Sequence, residues 1–186
     1  MRFARIPFEL TGGAPRRPTR DPEGVTWKAA DGDELTETME AAFSEPQDPR
    51  DAVTVDRYGA KGVTNAMIAD AVGGVTYSCD PSWWSLVVVD ATPVGFVLPV
   101  VFVGENRGGL DEGTIYQIGV IPEHRGKGLG ALLLARGTNT LLSHGVWQIS
   151  ADTAAENEPM IRIFERQGWQ RREPIKVPLH PLPGLD

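Results

Sequence analysis

The sequence predicts an α/β fold: one domain with a mixed, mostly antiparallel, twisted sheet flanked by helices. Three observations lead there. At 186 residues the chain has the length of a single domain. Hydrophobic residues make up 41% and charged residues 23%, enough apolar material for one sizeable core. Strand-like runs come first as an antiparallel meander and then alternate with helical patterns, an order that a mixed sheet accommodates.

Residues 1–24 read as an N-terminal arm, because TGGAPRRPTRDPEG over 11–24 holds three prolines and three glycines. The domain proper runs from 25 to 180. Val25 to Lys28 is a short strand. Asp33 to Glu45 is a helix, with Leu35, Met39, Ala42 and Phe43 on one face and an acid opening it. Residues 46–65 fit neither period, and Thr64 to Val72 is a second helix with Asn65 near its start. Trp84 to Asp90 and Val94 to Val103 are strands joined by the tight turn Ala91-Thr92-Pro93, and Thr114 to Val120 is the third strand of the meander. Gly128 to Ser143 is a helix with Leu129, Leu132, Leu133, Leu141 and Leu142 on a broad face. Trp147 to Ala151 is a strand. Glu158 to Arg166 is a helix with Met160, Ile163 and Phe164 inward, and Trp169 to Val177 is the last strand. Pro174, Pro178, Pro181 and Pro183 leave room for no further good strand, so residues 181–186 are a tail. A sheet edge left bare is an aggregation hazard. The segment Arg2–Leu10, or another subunit in a homodimer, is expected to cover it.

Composition excludes several classes of function. Eighteen Lys and Arg against 25 Asp and Glu give 18 − 25 = −7. The densest basic spots are the pairs Arg16-Arg17 and Arg171-Arg172, so neither nucleic acid nor an anionic membrane is an expected partner. The acidic balance suits an amine or a basic peptide. Cys79 is the single cysteine, which rules out an internal disulfide and a cysteine-based zinc site. His124, His144 and His180 are scattered, so no metal site is expected. No apolar run approaches the roughly 18 residues of a membrane helix. MRFARIPFEL lacks the apolar core of a signal peptide, and the expectation is a cytoplasmic protein.

Residues 114–130 carry the chemistry. A strand ends at Val120, the loop IPEHRGKGLG follows, and a helix opens. Gly126, Gly128 and Gly130 let backbone amides come close to an anion, and the unpaired first-turn amides of a helix carry partial positive charge. Together they form a cradle for a pyrophosphate, with Arg125 and Lys127 adding charge. A Walker A loop is excluded because no glycine stands at the required place upstream of Lys127. A dinucleotide fingerprint is excluded by the glycine spacing and by the preceding meander.

Arg125-x-x-Gly128-x-Gly130 in VIPEHRGKGLGALLL resembles the signature of the GNAT superfamily of acyl-CoA-dependent N-acyltransferases. A second block is similar: Asn157, then Ile163-Phe164, then Gly168-Trp169, where the family often has Asn, Leu-Tyr and Gly-Phe at this spacing. The resemblance covers residues 114–170 and implies a GNAT-like domain that uses acetyl-CoA as co-substrate. It implies that the pantetheine arm pairs with the backbone of Ile118, Gly119 and Val120. It places the pyrophosphate on amides from Arg125 through Gly126, Lys127, Gly128, Leu129 and Gly130 to Ala131. Asn157 would contact the pantetheine or cap the next helix. The implied reaction is direct attack of an amine, from a small molecule or a peptide, on the thioester carbonyl. No covalent enzyme intermediate is needed, so Cys79 is expected to be structural.

The chain departs from the family twice. Many relatives carry a carboxylate on the strand before the loop, and TIYQIGV has none; Thr114 and Tyr116 hold those positions, with Asp111 and Glu112 just upstream. Many relatives have Tyr where this chain has Phe164, whose ring cannot protonate a leaving thiolate. Tyr116 is then the candidate catalytic hydroxyl. Trp83-Trp84 is expected in packing, His124 at the cofactor rim, and Glu37, Glu40 and Glu45 on a solvated helix face. A catalytically silent acyl-CoA-binding module and a nucleotide-binding module are the alternative readings.

Overall fold

A computed structural model of the chain describes residues 1–13, 21–179, 182, 184 and 185. Arg16, Arg17, His180, Pro181 and Pro183 lie outside the described residues. The strands are β1 (Arg2–Thr11), β2 (Val25–Ala29), β3 (Tyr77–Ser78), β4 (Ser85–Val89), β5 (Thr92–Arg107), β6 (Leu110–Val120), β7 (Gln148–Ala154), β8 (Gln170–Arg171) and β9 (Ile175–Pro178). The helices are α1 (Gly32–Ala42), α2 (Pro49–Val72), α3 (Leu129–Ser143) and α4 (Glu158–Arg166). Among the described residues no helix is long and apolar enough to cross a membrane.

The strands form one sheet in the order β2-β4-β5-β6-β7-β1-β8, with β3 also on β5 and β9 also on β1. β5 is the spine. Val94 through Val101 are all buried, because helices cover both faces of the sheet there. Phe96, Leu98 and Val100 pack with Leu35 and Met39 of α1 and with Val63 and Met67 of α2. Val97 and Val101 pack on the other face with Leu133, Leu134 and Leu141 of α3 and Phe164 of α4. Each such side chain, once fully buried, contributes about 1.5–3 kcal/mol by leaving water.

The meander is as the sequence suggests, but its turns are tighter. β4 and β5 join through Asp90-Ala91, both at positive φ (49° and 63°), not through Ala91-Thr92-Pro93, because Val89 pairs directly with Thr92. Gly108-Gly109 makes the same kind of two-residue turn between β5 and β6. The helix expected at Thr64 begins at Pro49, so Asn65 lies inside it rather than near its start. Asp48 caps it by accepting from the Arg50 amide at 2.9 Å, and Gly59 (φ 73°) kinks it. That glycine interrupts the apolar period, which is why residues 46–65 carry no clear pattern. The last strand is split into β8 and β9, with Pro174 between them.

Residues 2–11, within the segment read as an arm, form β1. It pairs antiparallel with β7 from Arg5↔Ala154 to Thr11↔Gln148, and its other edge takes β8 and β9.

Two irregularities make a site. β6 and β7 run parallel and pair only at Glu112↔Gln148, Gly113↔Ile149 and Thr114↔Ser150. Beyond Thr114 they part, and among the described residues no strand pairs with that edge of β6 from Ile115 to Val120. On its other side, Pro99 of β5 has no N–H to donate, and the register slips there: Leu98 faces Gln117 while Pro99 faces Ile115. Tyr116 is the extra residue of this bulge. Ile115 and Ile118 therefore pack on the α3 side, while Tyr116 and Gln117 both contact α2.

Candidate active site

The gap between β6 and β7 opens into a cleft of about 1090 Å³. Its walls come from β6, the loop after it, the starts of α3 and α4, β1, β7 and the near faces of α1 and α2.

At one end the walls are backbone. The loop turns through a short 3-10 turn, Pro122–His124, into two glycines in the left-handed region, Gly126 (φ 75°) and Gly128 (φ 83°). Gly128 is the N-cap of α3. The Arg125 amide donates to Pro122 O at 3.2 Å and the Ala131 amide to Gly128 O at 3.1 Å. The amides from Gly126 to Gly130 lie between these two closed turns, at the positive end of α3. Among the described residues, chain neighbours aside, nothing lies within 4 Å of the places where Cβ atoms of residues 126 and 128 would sit. An open, amide-lined cup of this kind could hold an anionic group such as a pyrophosphate. At Gly130 a Cβ would stand 3.4 Å from Ile163 of α4, an ordinary contact, so packing alone does not require glycine there.

Arg125 holds the cup in place. Its Nε donates to Val120 O at 2.9 Å and a terminal nitrogen donates to Ala42 O at 3.0 Å, tying the loop to the end of β6 and the end of α1. Along the free edge, Ile118 N–H donates to Gln117 Oε1 at 3.2 Å. Ile118 and Val120 thus turn backbone groups away from β5. Gly119 O points toward β5, where a Cβ on Gly95 would lie 2.7 Å from it. Gly119 instead makes room for Phe96, whose ring would be 2.6 Å from a Cβ. Asn157 lines the cleft and caps α4 by accepting from the Met160 amide at 3.2 Å. His124 stands at the rim, and among the described residues its buried Nδ1 has no partner. Phe164 is buried in an aromatic stack, 4.6 Å from the Phe8 ring and 5.0 Å from Trp169.

At the other end the walls are side chains from elements far apart in sequence. Tyr116 donates its hydroxyl hydrogen to Asp70 at 2.9 Å and packs edge-on against Tyr77. Burial first, and then the charge of Asp70, push the Tyr116 phenol far above its ordinary range, so it stays protonated at neutral pH. Gln117 Nε2 donates to Asp51 at 3.2 Å. Burial and the charge of Asp48 push the Asp51 carboxyl up to about 6, against the opposing pull of Arg50, the Gln117 hydrogen bond and Arg5. Arg5, almost wholly buried, forms ion pairs with Asp48 of the α2 cap and Asp152 of β7. It locks the start of α2 onto the splayed strand.

Asp51, Asp70 and Arg5 are not among the candidates that the sequence offers. Asp51 lies in the stretch 46–65 whose period Gly59 interrupts, Asp70 lies on the predicted helix Thr64–Val72 but 46 residues from Tyr116, and Arg5 lies in the segment read as an arm. Other candidates stand apart from the cleft. Trp84 is buried in the core, and Trp83 packs on His144 at 4.3 Å. Glu37, Glu40 and Glu45 do not line the cleft. The Cys79 thiol donates to Ala71 O at 3.6 Å, and burial pushes its pKa up, the state of an inert thiol. Among the described residues no group of three or more His, Cys, Asp or Glu is placed to hold a metal.

The model of the acetyltransferase (GNAT) family matches residues 32–169. Over 59 residues the chain is 36% identical to mycothiol acetyltransferase of Kocuria rhizophila, a match covering 32% of this chain and 20% of that protein. Among solved structures it is similar to a GCN5-related N-acetyltransferase from Sphaerobacter thermophilus, with TM-score 0.59, 19% identity, and 97% of this chain against 53% of that one. It is also similar to a chain of the NatC complex bound to Gag peptide and CoA, with TM-score 0.59, 15% identity, and 84% of this chain against 99% of that one. The chain thus spans a fifth of the curated relative and about half of the Sphaerobacter chain. At these identities the solved structures speak for the fold.

Proposed function

The chain belongs to the acetyltransferase (GNAT) family, and on that premise we propose that it transfers an acetyl group from acetyl-CoA to a primary amine. The observation that carries this reading is the amide cup of Gly126–Gly130 standing at the end of an unpaired strand edge. The cup would hold the pyrophosphate, with Arg125, Lys127, Leu129 and Ala131 framing it. The edge of β6 would pair with the pantetheine through the backbone groups left over at Ile118 and Val120, since the Ile118 amide is held by Gln117 and the Val120 carbonyl by Arg125, with Gly119 between them making room for Phe96. Asn157 would add a side-chain amide. This arrangement needs few cations, consistent with an acidic protein.

The reaction is direct. The amine attacks the thioester carbonyl, polarised by backbone N–H groups, within a cleft that holds both partners together. The acceptor end carries Asp48, Asp51, Asp70 and Asp152 against Arg5 and Arg50, a balance that favours an amine arriving as a cation, from a small molecule or a peptide terminus. Tyr116, with its proton directed at Asp70, would orient that end and is no base at neutral pH.

Calorimetry with acetyl-CoA, followed by release of free thiol in the presence of a panel of primary amines, tests the proposal. Binding with amine-dependent thiol release is expected. Binding without release on any amine would favour a silent acyl-CoA-binding module, and ATP competing as well as CoA would favour a nucleotide site.

A further inference from the structure

Resting on the acetyl-transfer reading, the next matter is where the amine's proton goes. Five carboxylates line the cleft, and four are committed. Asp48 and Asp152 hold the buried Arg5 guanidinium. Asp70 accepts from Tyr116, and Glu9 pairs with Arg172. Asp51 is the fifth. Among the described residues it makes no ion pair, and its side-chain partner is the neutral Gln117 amide at 3.2 Å. That same amide accepts from Ile118 N–H at 3.2 Å. Asp51 is therefore one side chain removed from the free edge of β6, and the bulge at Pro99 is what turns Gln117 toward it. The groups that face Asp51 are Asp48 and Arg50 from its own helix, Arg5 from β1 and Gln117 from β6.

We propose that Asp51 is the general base of this enzyme and that Gln117 positions it. The arriving ammonium first gives one proton to solvent, and the lone pair of the neutral amine then forms the C–N bond to the acetyl carbonyl carbon. The proton on that nitrogen passes to a carboxylate oxygen of Asp51. The C–S bond breaks with its electron pair on the coenzyme sulfur. The proton held by Asp51 then goes to that sulfur, directly or through water. Amide and free thiol leave, and Asp51 is a carboxylate again. A group of pKa about 6 suits this work, being ionised at neutral pH yet more basic than an ordinary aspartate. The same cycle supplies the proton that Phe164 cannot.

The test compares wild type with Asp51→Asn, using acetyl-CoA with putrescine, tyramine and a lysine-terminated tetrapeptide as probe amines. The expected result is a fall in kcat of roughly 10²–10⁴-fold with acetyl-CoA affinity unchanged by calorimetry. Wild-type kcat/KM should fall below a midpoint of about 6, and that acid limb should be missing in the variant. Gln117→Leu should move the limb, whereas a merely structural residue would leave it in place. Carbon-13 titration of the wild-type carboxyl gives a readout that needs neither turnover nor a folded variant. A midpoint near 6 is expected, and one near the ordinary value of about 4 would overturn the proposal. So would Asp51→Asn with wild-type kcat and an intact acid limb, leaving the acetyl-transfer reading standing. Wild type that transfers to none of the probes removes both.

Discussion

The two ends of the cleft are built from different materials. At the end proposed to take the phosphates, the groups on offer are backbone amides between Gly126 and Gly130, supplied by one strand-loop-helix segment. At the acceptor end they are side chains brought together from afar. Gln117 meets Asp51 across 66 residues of sequence, Tyr116 meets Asp70 across 46, and Arg5 meets Asp152 across 147. A site made of backbone depends on local conformation and tolerates change elsewhere. A site made of distant side chains depends on the whole tertiary packing. Substitutions at the two ends should therefore fail in different ways.

The largest effect is expected at the clamp. Arg5→Met leaves Asp48 and Asp152 partly buried without their cation, and removing one partner of a buried ion pair costs about 3–5 kcal/mol. Urea denaturation measures it. A loss well under 1 kcal/mol would mean that the acceptor end does not rest on β1. Tyr116→Phe is a smaller cut at the same end. It strips Asp70 of a hydrogen bond, at about 1–3 kcal/mol for a half-buried acceptor. Acetyl-CoA affinity should stay unchanged, and kcat should fall less than in Asp51→Asn.

The smallest effect concerns pH and stability. The Asp51 pKa is raised in the fold, so the folded chain holds this proton up to about 6 whereas the unfolded chain releases it near 3.8. The stabilisation is complete below the unfolded value and is lost as pH rises through the folded one. Asp51→Asn should melt above wild type at pH 8, and the difference should shrink toward pH 4. A gap that widens in acid would reverse the assignment of Asp51 as a strained carboxylate.

The same division decides what the sequence discloses. Glycines at alternate positions between a strand and a helix point to the conformation of the loop, so the turn through Gly126 and Gly128 is legible from composition and spacing, whereas Ile118–Val120 and Asn157 enter only through the family resemblance. The meander and α3 are legible because Val94–Val101 and the leucines of α3 repeat with a clear period. Asp51 is not legible. Gly59 breaks the period of its helix, and its partner Gln117 faces it only because Pro99 forces a bulge two strands into the sheet. That Arg2–Leu10 joins the sheet is expected from the bare edge that the prolines of the tail leave, but its place inside the sheet is hidden. It pairs with β7 and with the C-terminal β8 and β9, and none of them is near it in sequence.

One titration tests the division itself: acetyl-CoA into wild type, Gly128→Asp and Asp51→Asn, with circular dichroism to confirm folding. A side chain at residue 128 would be strained at φ 83° and would bring a negative charge to the amide cup. Gly128→Asp should show no binding, while Asp51→Asn should bind as wild type does. Equal affinity in all three would contradict the placement of the coenzyme on Gly126–Gly130, and loss of binding in Asp51→Asn alone would contradict the separation of the two ends.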